Sequence, residues 1–349
     1  MRTIEMRKLA SIKTISEIKS IPNADKICAY RVDGWWVVDS VEKYKIGDNV
    51  VYCEIDSWIP TTIAPFLSKG AEPRVFNGVQ GERLRTIKLR GQVSQGLLLP
   101  LNILTDSPDN TWGNPMDYCD SDVTDILGIQ KYEQPVPANL AGIAKGNFPS
   151  FIPKTDQERV QNLVNDVAEW QSAGYVFEMT EKLDGSSMTV YYNNGEVGVC
   201  SRNLELKEDD SNTFWRVAKS EQLIDKLKKF GRNIALQGEL IGEGIQGNRY
   251  QIKGQQFHLY DIFDIDKFNY MKPFARRELS KLLDIRHIPV INETQVLGTG
   301  NVDDIILLAE DKSMLNKNTE REGVVYKING GENISFKAIS NKFLLKGGE

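Results

Sequence analysis

The first third of the chain is a series of short apolar segments separated by turn residues. Residues 30–38 (YRVDGWWVV) contain two such segments around Asp33-Gly34, and residues 49–55 (NVVYCEI) contain another. Residues 83–90 (RLRTIKLR) alternate in part between apolar and basic side chains, which predicts a strand with its cations on one side. Several short strands with regular turn punctuation are typical of a small β-barrel, and we predict one over residues 1–130.

The chain changes character after residue 130. Residues 131–153 contain four prolines and two glycines and predict an interdomain linker. The capping-box sequence from Thr155 to Glu158 then predicts the start of an amphipathic helix. Its apolar face would carry Val160, Leu163, Val164 and Val167.

The remainder alternates β-rich stretches with helices, which we place near residues 213–230 and 274–284. A chain of 349 residues has room for about two domains. We therefore predict an α+β protein with a second domain, residues 154–349, of antiparallel sheets with flanking helices.

Composition excludes several classes of protein. The chain is 40% hydrophobic and 26% charged, and it lacks the ~18-residue apolar run of a membrane span. The N-terminus has no apolar signal-peptide core, so we expect a cytoplasmic protein that does not bind membranes. The four cysteines are scattered without a C-x-x-C pair, which disfavours disulfides and thiolate zinc sites.

Only two histidines are present, and neither lies near a nucleophile motif. A Ser-His-Asp triad is therefore disfavoured, and Lys, Asp and Glu must supply any catalysis. The net charge is -5, but the stretch from Arg74 to Arg90 carries five cations against Glu82, a local net of +4. A local basic strip on an acidic protein can still bind phosphates.

The most informative segment is residues 181–187 (EKLDGSS), which lies between two strand-like runs. Lys182 at the end of a strand, beside an acid and a glycine, is a plausible nucleophile. Its amine must be neutral to attack, so its pKa must fall from ~10.4 through burial or nearby cations. Asp184 could position a metal ion, and Gly185 would let a phosphate approach the backbone. The alternative is a solvated hairpin turn, because K-x-D-G alone is a weak pattern.

Further motifs follow Lys182 in order. They are Ser201-Arg202-Asn203, Gly238-Glu239-Leu240, Tyr260-Asp261-Ile262, Glu322-Gly323-Val324-Val325 and Phe336-Lys337-Ala338-Ile339-Ser340. This ordered set resembles that of the covalent nucleotidyltransferases, which comprise ATP-dependent DNA and RNA ligases and capping enzymes. Residues 148–156, 244–250 and 339–346 are similar to the RNA ligases of the Deinococcus and Naegleria type, which carry an OB-fold before the ligase domain. The likeness covers essentially the whole chain.

The first domain resembles OB-fold tRNA-binding domains through residues 21–26 (IPNADK), 32–34 (VDG) and 89–97 (LRGQVSQGL). An OB barrel with a basic strand suits RNA binding. The candidate RNA-contacting residues are Arg83, Arg85, Lys88 and Arg90. The alternative is that these cations form a solvated face.

The resemblance implies a role for each motif. Lys182 would attack the α-phosphorus of ATP to form lysyl-AMP, and Lys337 would contact the α-phosphate. Tyr260 would stack on adenine, with Phe263 as the rival aromatic residue. Among the other ATP- and AMP-binding residues, Glu181 would lie near the adenine or ribose. Arg202 would contact a phosphate or ribose oxygen, or the RNA end.

The resemblance also implies a divalent ion, Mg²⁺ or Mn²⁺, surrounded by Asp184, Glu239 and Glu322, mainly through its waters. Salt bridging at the surface is the alternative for Glu239 and Glu322. The same ion would lower the pKa of Lys182.

Two cations remain open in this set. Related ligases often carry K-x-K at the last motif, and this chain has only Lys337 there, so Lys327 and Lys342 are candidates for the second lysine. Arg159 would orient the leaving pyrophosphate from the predicted helix.

The literal G-x-G-x-x-G at residues 242–247 is not a dinucleotide fingerprint, because a polar, β-like segment follows it instead of a helix. We interpret it as a ligase loop near the triphosphate.

The function implied is an ATP-dependent RNA ligase that joins 3′-hydroxyl and 5′-phosphate ends, preferring nicks in a duplex, in RNA repair. We expect a monomer. A DNA ligase or a capping-type enzyme is one alternative, although those usually carry the OB domain after the transferase domain. A non-catalytic tRNA-binding module is the other.

Overall fold

The computed structural model describes residues 8–105, 119–133, 142–298 and 300–347. The chain divides into two compact units. The first unit comprises Met1–Pro135, Gln161–Val164 and Leu344–Glu349, and the second comprises Val136–Val160 and Asn165–Phe343.

The described part of the first unit is built mainly from short strands. These are β1 (Ala10–Thr14), β2 (Glu17–Ser20), β3 (Ile27–Val32), β4 (Trp35–Ser40), β5 (Asn49–Cys53), β6 (Ser57–Pro60), β7 (Arg74–Phe76), β8 (Val79–Arg83), β9 (Ile87–Leu89), β10 (Gln92–Ser94), β11 (Leu97–Leu99) and β12 (Gln130–Lys131). A 3₁₀ turn spans Pro65–Ser68, and a short helix, α1, spans Asn102–Thr105. The strands form antiparallel groups in the orders β1-β5-β11, β2-β3-β4, β10-β9 and β12-β6-β8-β7.

Strands β1, β5, β6 and β11 contribute to a core, with Ile12, Val51, Ile59 and Leu99 among its buried members. The segment at residues 83–90 is not the single strand that the sequence predicts. Strand β8 ends at Arg83 and pairs with β6 and β7, whereas β9 begins at Ile87 and pairs with β10.

Twelve strands follow in the rest of the described chain. They are β13 (Ala144–Asn147), β14 (Glu158–Arg159), β15 (Val176–Lys182), β16 (Ser186–Asn193), β17 (Glu196–Cys200), β18 (Leu204–Leu206), β19 (Ile234–Gly242), β20 (Gln255–Asp264), β21 (Asn269–Tyr270), β22 (Val290–Val296), β23 (Gly323–Ile328) and β24 (Ser335–Ile339). The helices are α2 (Val164–Ser172), α3 (Thr213–Ser220), α4 (Leu223–Phe230), α5 (Pro273–Leu282), α6 (Val302–Ala309) and α7 (Asn341–Leu345), with 3₁₀ turns at Val160–Asn162 and Gln246–Asn248.

Two sheets organise the second unit. A seven-stranded sheet has the order β13-β18-β17-β16-β19-β20-β21, and a five-stranded sheet has the order β14-β24-β23-β15-β22. Leu223 and Leu227 of α4 are buried in the same core as Val190 and Leu236 of the seven-stranded sheet. The amphipathic pattern of α4 explains its place on the sheet, since its basic residues lie on the other side.

Two predictions about local structure are wrong. The capping box at 155–158 does not start a helix: Glu158–Arg159 forms β14, and the helix begins at Val164. The predicted helix near 213–230 is two helices, broken at Gln222, whose φ of 57° ends regular helical geometry.

The predicted linker at 131–153 is described in part. Residues 134–141 lie outside the described part, but Ala144–Asn147 forms β13 and pairs with β18. Ile152 is buried beside Tyr191, so this proline- and glycine-rich stretch packs on the second unit.

The four cysteines are free, with Cys28, Cys53 and Cys200 buried and Cys119 exposed. None of the helices in the described part of the chain has the length and apolarity needed to cross a bilayer.

Candidate active site

The K-x-D-G segment is the crossing point between the two sheets. Strand β15 of the five-stranded sheet ends at Lys182, and β16 of the seven-stranded sheet begins at Ser186. Between them Leu183 is buried, and Gly185 lies so close to the next strand that a Cβ atom would collide with the Leu240 carbonyl oxygen. Glycine is therefore required at this crossing, between Asp184 and the start of β16.

Lys182 has a direct acidic partner. Strand register pairs Lys182 with Gly323, so Glu322 lies beside it at the start of β23. The Lys182 Nζ is 2.6 Å from the Glu322 Oε1, and the lysine side chain keeps 28% of its surface exposed. The nucleophile candidate is thus paired but accessible.

Two more carboxylates crowd this ion pair. Glu239 stands in the middle of β19, opposite Ser187 of β16. Burial, aided by the charges of Glu322 and Asp184 and opposed by that of Lys182, raises the pKa of Glu239 to about 8. Burial and the Glu322 charge also raise the pKa of Asp184 to about 6. Negative charge is therefore in excess here.

The expectation of a lowered pKa for Lys182 is wrong for the protein alone. Burial does lower the pKa of Lys182, but the charges of Glu322, Glu239 and Asp184 and the hydrogen bond to Glu322 outweigh burial. The net pKa lies above the ordinary 10.5. An added cation among these carboxylates would act in the opposite direction.

Cations from neighbouring strands share the face of the five-stranded sheet that carries Lys182. Side chains opposite each other in paired strands point to the same side, so Lys337, opposite Val325, is on the Lys182 face. Arg159 of β14 pairs with Lys337 in a parallel ladder and is buried. The prediction that placed Arg159 on a helix is wrong; the strand brings it beside Lys337.

The two candidates for a second lysine differ in position. Lys327 lies on the same face, opposite Glu178, with its Nζ 2.6 Å from Asp261 Oδ1 and 2.7 Å from the Tyr260 carbonyl. Burial lowers the pKa of Lys327 to about 8. Lys342 instead belongs to α7, where it is largely exposed and pairs with Glu310 at 3.2 Å.

A pocket lies beside Tyr260. Its lining residues are Phe148, Lys154, Thr155, Asp156, Ser187, Thr189, Arg202 and Gln237. The Tyr260 hydroxyl is 3.0 Å from Thr155 Oγ1 and 3.2 Å from Ser187 Oγ. The rival aromatic residue, Phe263, is fully buried and packs against Tyr270 and Phe268, so it is a core residue.

Arg202 and Glu181 have very different surroundings. Arg202 lines the pocket, is half exposed, and pairs with Asp156 at 2.8 Å. Glu181 points to the opposite side of β15 from Lys182 and is fully buried. Its Oε2 accepts the Met314 amide at 2.8 Å. Glu181 therefore fixes the loop after α6, a contact that the motif did not predict.

Sequence reasoning missed Arg249 and Tyr250. It assigned residues 244–250 to a loop without separating their roles. The structure brings Arg249 Nη1 within 2.7 Å of Asp184 Oδ2 and has the Tyr250 hydroxyl accept the Asp184 amide at 2.6 Å. The only sequence signal for these two contacts was the GIQGNRY motif itself, because Arg249 and Tyr250 are more than 60 residues from Asp184 along the chain.

The same stretch confirms that the literal G-x-G-x-x-G is no dinucleotide site. Strand β19 precedes it, but a single 3₁₀ turn at Gln246–Asn248 and then strand β20 follow it. A Rossmann turn would open directly into a helix.

The four basic residues predicted for RNA binding separate into two kinds. Arg83 pairs with Asp56 at 2.7 Å, stacks over Tyr132 at 4.6 Å and has only 9% of its side chain exposed. Arg85, Lys88 and Arg90 are exposed, and the last two lie on the β9–β10 hairpin. The predicted single row of cations is therefore wrong, since Arg83 is committed to a structural pair.

A lysine at the junction of two largely antiparallel sheets, with three carboxylates and two further cations around it, defines a site suited to covalent transfer of a phosphoryl-linked group. A family model described as RNA ligase matches residues 176–339, and an OB-fold domain model matches residues 9–101. The search of curated proteins found no match.

Solved structures match the chain along nearly its whole length. A mutant of Naegleria gruberi RNA ligase with ATP and Mn is 45% identical, with a TM-score of 0.87 over 97% of this chain and 98% of that one. The same ligase with PPi is 46% identical, with a TM-score of 0.87 over the same shares. A mutant with AMP and Mn is 46% identical, with a TM-score of 0.88 over 97% and 98%.

The chain belongs to the RNA ligase family. The resemblance drawn from the motifs is confirmed, as are the N-terminal OB-fold and the α+β class. The chain is accordingly an enzyme.

Proposed function

We propose that the chain is an ATP-dependent RNA ligase that seals 3′-hydroxyl to 5′-phosphate ends, with nicks in duplex RNA as its preferred substrate and RNA repair as its role. The observation that carries this proposal is the Lys182–Glu322 pair, set among Glu239 and Asp184 on the face that also holds Lys337. The Naegleria gruberi relative, whose structures contain ATP or AMP, supports ATP as the nucleotide.

In the first step the neutral amine of Lys182 attacks the α-phosphorus of ATP. A P–N bond forms, the bond to the β,γ-pyrophosphate breaks, and the lysine loses its proton to give lysyl-AMP. Lys337 and Arg159 supply positive charge beside the α-phosphate and the leaving pyrophosphate. Positioning and charge stabilisation account for most of the catalysis in such a transfer.

Two further transfers complete the reaction. A 5′-phosphate oxygen of the RNA attacks the lysyl-AMP phosphorus, which frees Lys182 and leaves a 5′–5′ linked AMP on the strand. The 3′-hydroxyl oxygen then attacks the 5′-phosphorus, AMP leaves, and the phosphodiester is formed. The same Lys182 amine is thus returned for another cycle.

A hydrated Mg²⁺ or Mn²⁺ fits the carboxylate cluster. Across the described residues, no three His, Cys, Asp or Glu side chains are close enough to ligate one ion directly. Burial, together with the repulsion among Asp184, Glu239 and Glu322, nonetheless raises the pKa values of Asp184 and Glu239, which marks a site short of positive charge. Contacts through bound water suit Mg²⁺, which gives up its waters reluctantly. When bound, the ion would supply the charge that lowers the Lys182 pKa.

The pocket beside Tyr260 would hold the nucleoside. Hydrogen bonds to Thr155 and Ser187 fix the Tyr260 hydroxyl, so its ring is held in place for stacking on adenine. Arg202 would contact a phosphate or ribose oxygen from the pocket edge. Glu181 would support the pocket indirectly, because it binds the backbone of the loop at Met314 and does not contact the nucleotide itself.

RNA would contact the exposed cations Arg85, Lys88 and Arg90 of the OB-fold unit. We propose that the enzyme acts as a monomer in the cytoplasm, where its RNA substrates are found. Size-exclusion chromatography with light scattering tests the monomer directly.

Label transfer tests the chemistry. The chain is incubated with α-labelled ATP or GTP and Mn²⁺ or Mg²⁺, denatured and examined for covalent label, with Lys182→Ala as the matched control. We expect label from ATP alone and none in the variant. Intact mass before and after pyrophosphate treatment detects protein that was purified already adenylylated. An unmodified lysine that takes no label would contradict the proposal.

A substrate panel then tests the strand. Nicked duplex RNA, nicked duplex DNA and triphosphate-ended RNA with GTP are compared under the same conditions. We expect sealing of the RNA nick to be fastest. Faster sealing of the DNA nick would indicate a DNA ligase, and GMP transfer to the triphosphate end would indicate a capping enzyme.

A further inference from the structure

The loop between β19 and β20 holds Asp184 at two points. The Arg249 guanidinium pairs with the Asp184 side chain, Nη1 to Oδ2 at 2.7 Å. The next residue, Tyr250, offers its hydroxyl oxygen to the Asp184 backbone N–H at 2.6 Å. Two adjacent residues thus fix both the main chain and the carboxylate of one candidate metal-site residue.

Arg249 is itself held from two sides. Its guanidinium carbon lies 4.4 Å from the centre of the Phe343 ring, and Phe343 is fully buried at α7. The Asn316 side chain donates to the Arg249 carbonyl at 2.9 Å. A guanidinium stacked on a buried ring has few other orientations, so Asp184 is held by a rigid partner.

Arg249 also changes the charge balance of the carboxylate cluster. The cluster contains three carboxylates, Asp184, Glu239 and Glu322, and Lys182 pairs with only one of them. Arg249 compensates Asp184 with a bond to a single oxygen, which leaves Oδ1 able to accept from a metal-bound water. The Arg249 and Asp184 side chains are 21% and 22% exposed, so forming the pair does not remove either charge completely from water.

We propose that Arg249 is a positioning residue for the divalent ion: it holds the Asp184 carboxylate in the orientation that accepts a metal-bound water, while its neighbour Tyr250 fixes the Asp184 main chain. This inference rests on the proposed function of the site. Substitution of a residue that orients a metal ligand typically lowers metal affinity by about 10- to 100-fold.

The test compares Arg249→Met, which keeps the apolar stem but removes the charge and the fork, with Arg249→Lys, which keeps the charge. Lys253→Met is the matched control, because Lys253 is an exposed cation of the same loop. Three quantities are measured on the full chain. They are lysyl-AMP formation as a function of Mn²⁺ concentration at saturating ATP, the KM for ATP at saturating Mn²⁺, and binding of Mn²⁺ alone, followed by electron paramagnetic resonance.

We expect Arg249→Met to raise the Mn²⁺ concentration for half-maximal adenylylation by about tenfold, with the maximal rate nearly recovered at high Mn²⁺. Binding of Mn²⁺ alone should weaken by a similar factor. Arg249→Lys should recover part of the loss, and Lys253→Met should match the wild type. Tyr250→Phe, which loses one hydrogen bond, should show a smaller shift in the same direction.

Two results would overturn the proposal. One is an unchanged Mn²⁺ dependence in Arg249→Met in both measurements. The other is a raised KM for ATP at saturating Mn²⁺, which would mean that Arg249 contacts the triphosphate itself. Thermal unfolding of each variant separates loss of fold from loss of positioning. Failure of the proposed function is distinct, since the wild-type chain would then take no label at any Mn²⁺ concentration.

Discussion

The two faces of the five-stranded sheet differ in their main chemistry. On one face Tyr326 and Phe336 stack at 4.7 Å, and Trp170 of α2 stacks on Phe336 at 5.3 Å. The other face carries charge, with Lys182, Lys327 and Lys337 on adjacent strands. Side chains alternate along each strand, so the same three strands supply both faces.

The difference shows how the fold stabilises a site whose buried charges oppose folding. Buried charges raise the free energy of the folded state, and here burial lowers the pKa of Lys327 to about 8. Stacked aromatic residues on the reverse of the same strands contribute burial energy where the strand positions are set. We infer that the aromatic face provides stability and the charged face provides chemistry, and substitutions on each face can separate the two.

The largest expected effect comes from Lys182→Ala. The variant should form no lysyl-AMP, because the amine that accepts AMP is absent. It should still seal RNA that already carries a 5′–5′ linked AMP, since that step uses the RNA's own hydroxyl. Both reactions are followed on denaturing gels. Loss of both in a folded variant would mean that Lys182 does more than carry AMP.

Phe336→Ala should have the opposite profile. Removing a fully buried ring from the aromatic stack should lower the free energy of unfolding by about 3–5 kcal/mol. The rate of adenylylation per folded molecule should change little when it is measured well below the melting temperature. Phe336→Leu is the control, with a smaller loss. A stable Phe336→Ala with slow adenylylation would contradict the separation of the two faces.

A buried histidine allows a pH test of the charged face. Burial, aided by the Arg276 charge, lowers the pKa of His287 to about 3, and His287 Nε2 accepts from Arg276 Nε at 3.0 Å. Arg276 also bonds to Glu178 on the charged face. In the unfolded chain the histidine pKa is near 6.5, so below that pH the unfolded state binds the proton first and stability falls toward pH 3.

His287→Gln keeps a hydrogen-bond acceptor but cannot titrate. Urea unfolding at pH 7.5, 6.5, 5.5 and 4.5 should show a shallower loss of stability than in the wild type. His258, whose pKa burial lowers to about 4, acts in the same direction and leaves part of the slope. His258→Gln is therefore the matched variant. Identical slopes in all three proteins would mean that neither histidine is kept neutral by the fold.

The sequence predicted the motif-bearing parts of the second unit well. The strands flanking Lys182 and the absence of a Rossmann turn follow from local patterns, because β-alternation and turn residues act over a few positions. The helix expected at residues 155–158 failed because pairing of Glu158–Arg159 with β24 overrode the capping signal. That pairing joins segments almost 180 residues apart, so no local sequence pattern predicts it.

The candidate site shows the same limit. Lys182, Glu239 and Glu322 were found through motifs, yet the sign of the Lys182 pKa shift depended on how closely three separate strands approach. Arg249 and its hold on Asp184 were invisible for the same reason. Conversely, Arg83 matched the basic pattern, but Asp56 and Tyr132 engage it in space.

The contrast between paired and exposed charge also gives the smallest predicted effect, in the OB-fold unit. Lys88 and Arg90 lie on the β9–β10 hairpin, whose tight turn has positive φ at Arg90 and Gly91 and leaves both cations exposed. In a Lys88→Met, Arg90→Met double variant, the slope of log affinity against log salt for nicked duplex RNA should fall by about 2, one for each phosphate that is no longer neutralised. Arg83→Met should lower stability, since it breaks a largely buried ion pair, but leave that slope unchanged. RNA binding measured from about 50 to 200 mM salt gives the slope for each variant. A reduced slope in Arg83→Met alone would mean that the buried arginine, and not the hairpin, contacts the RNA.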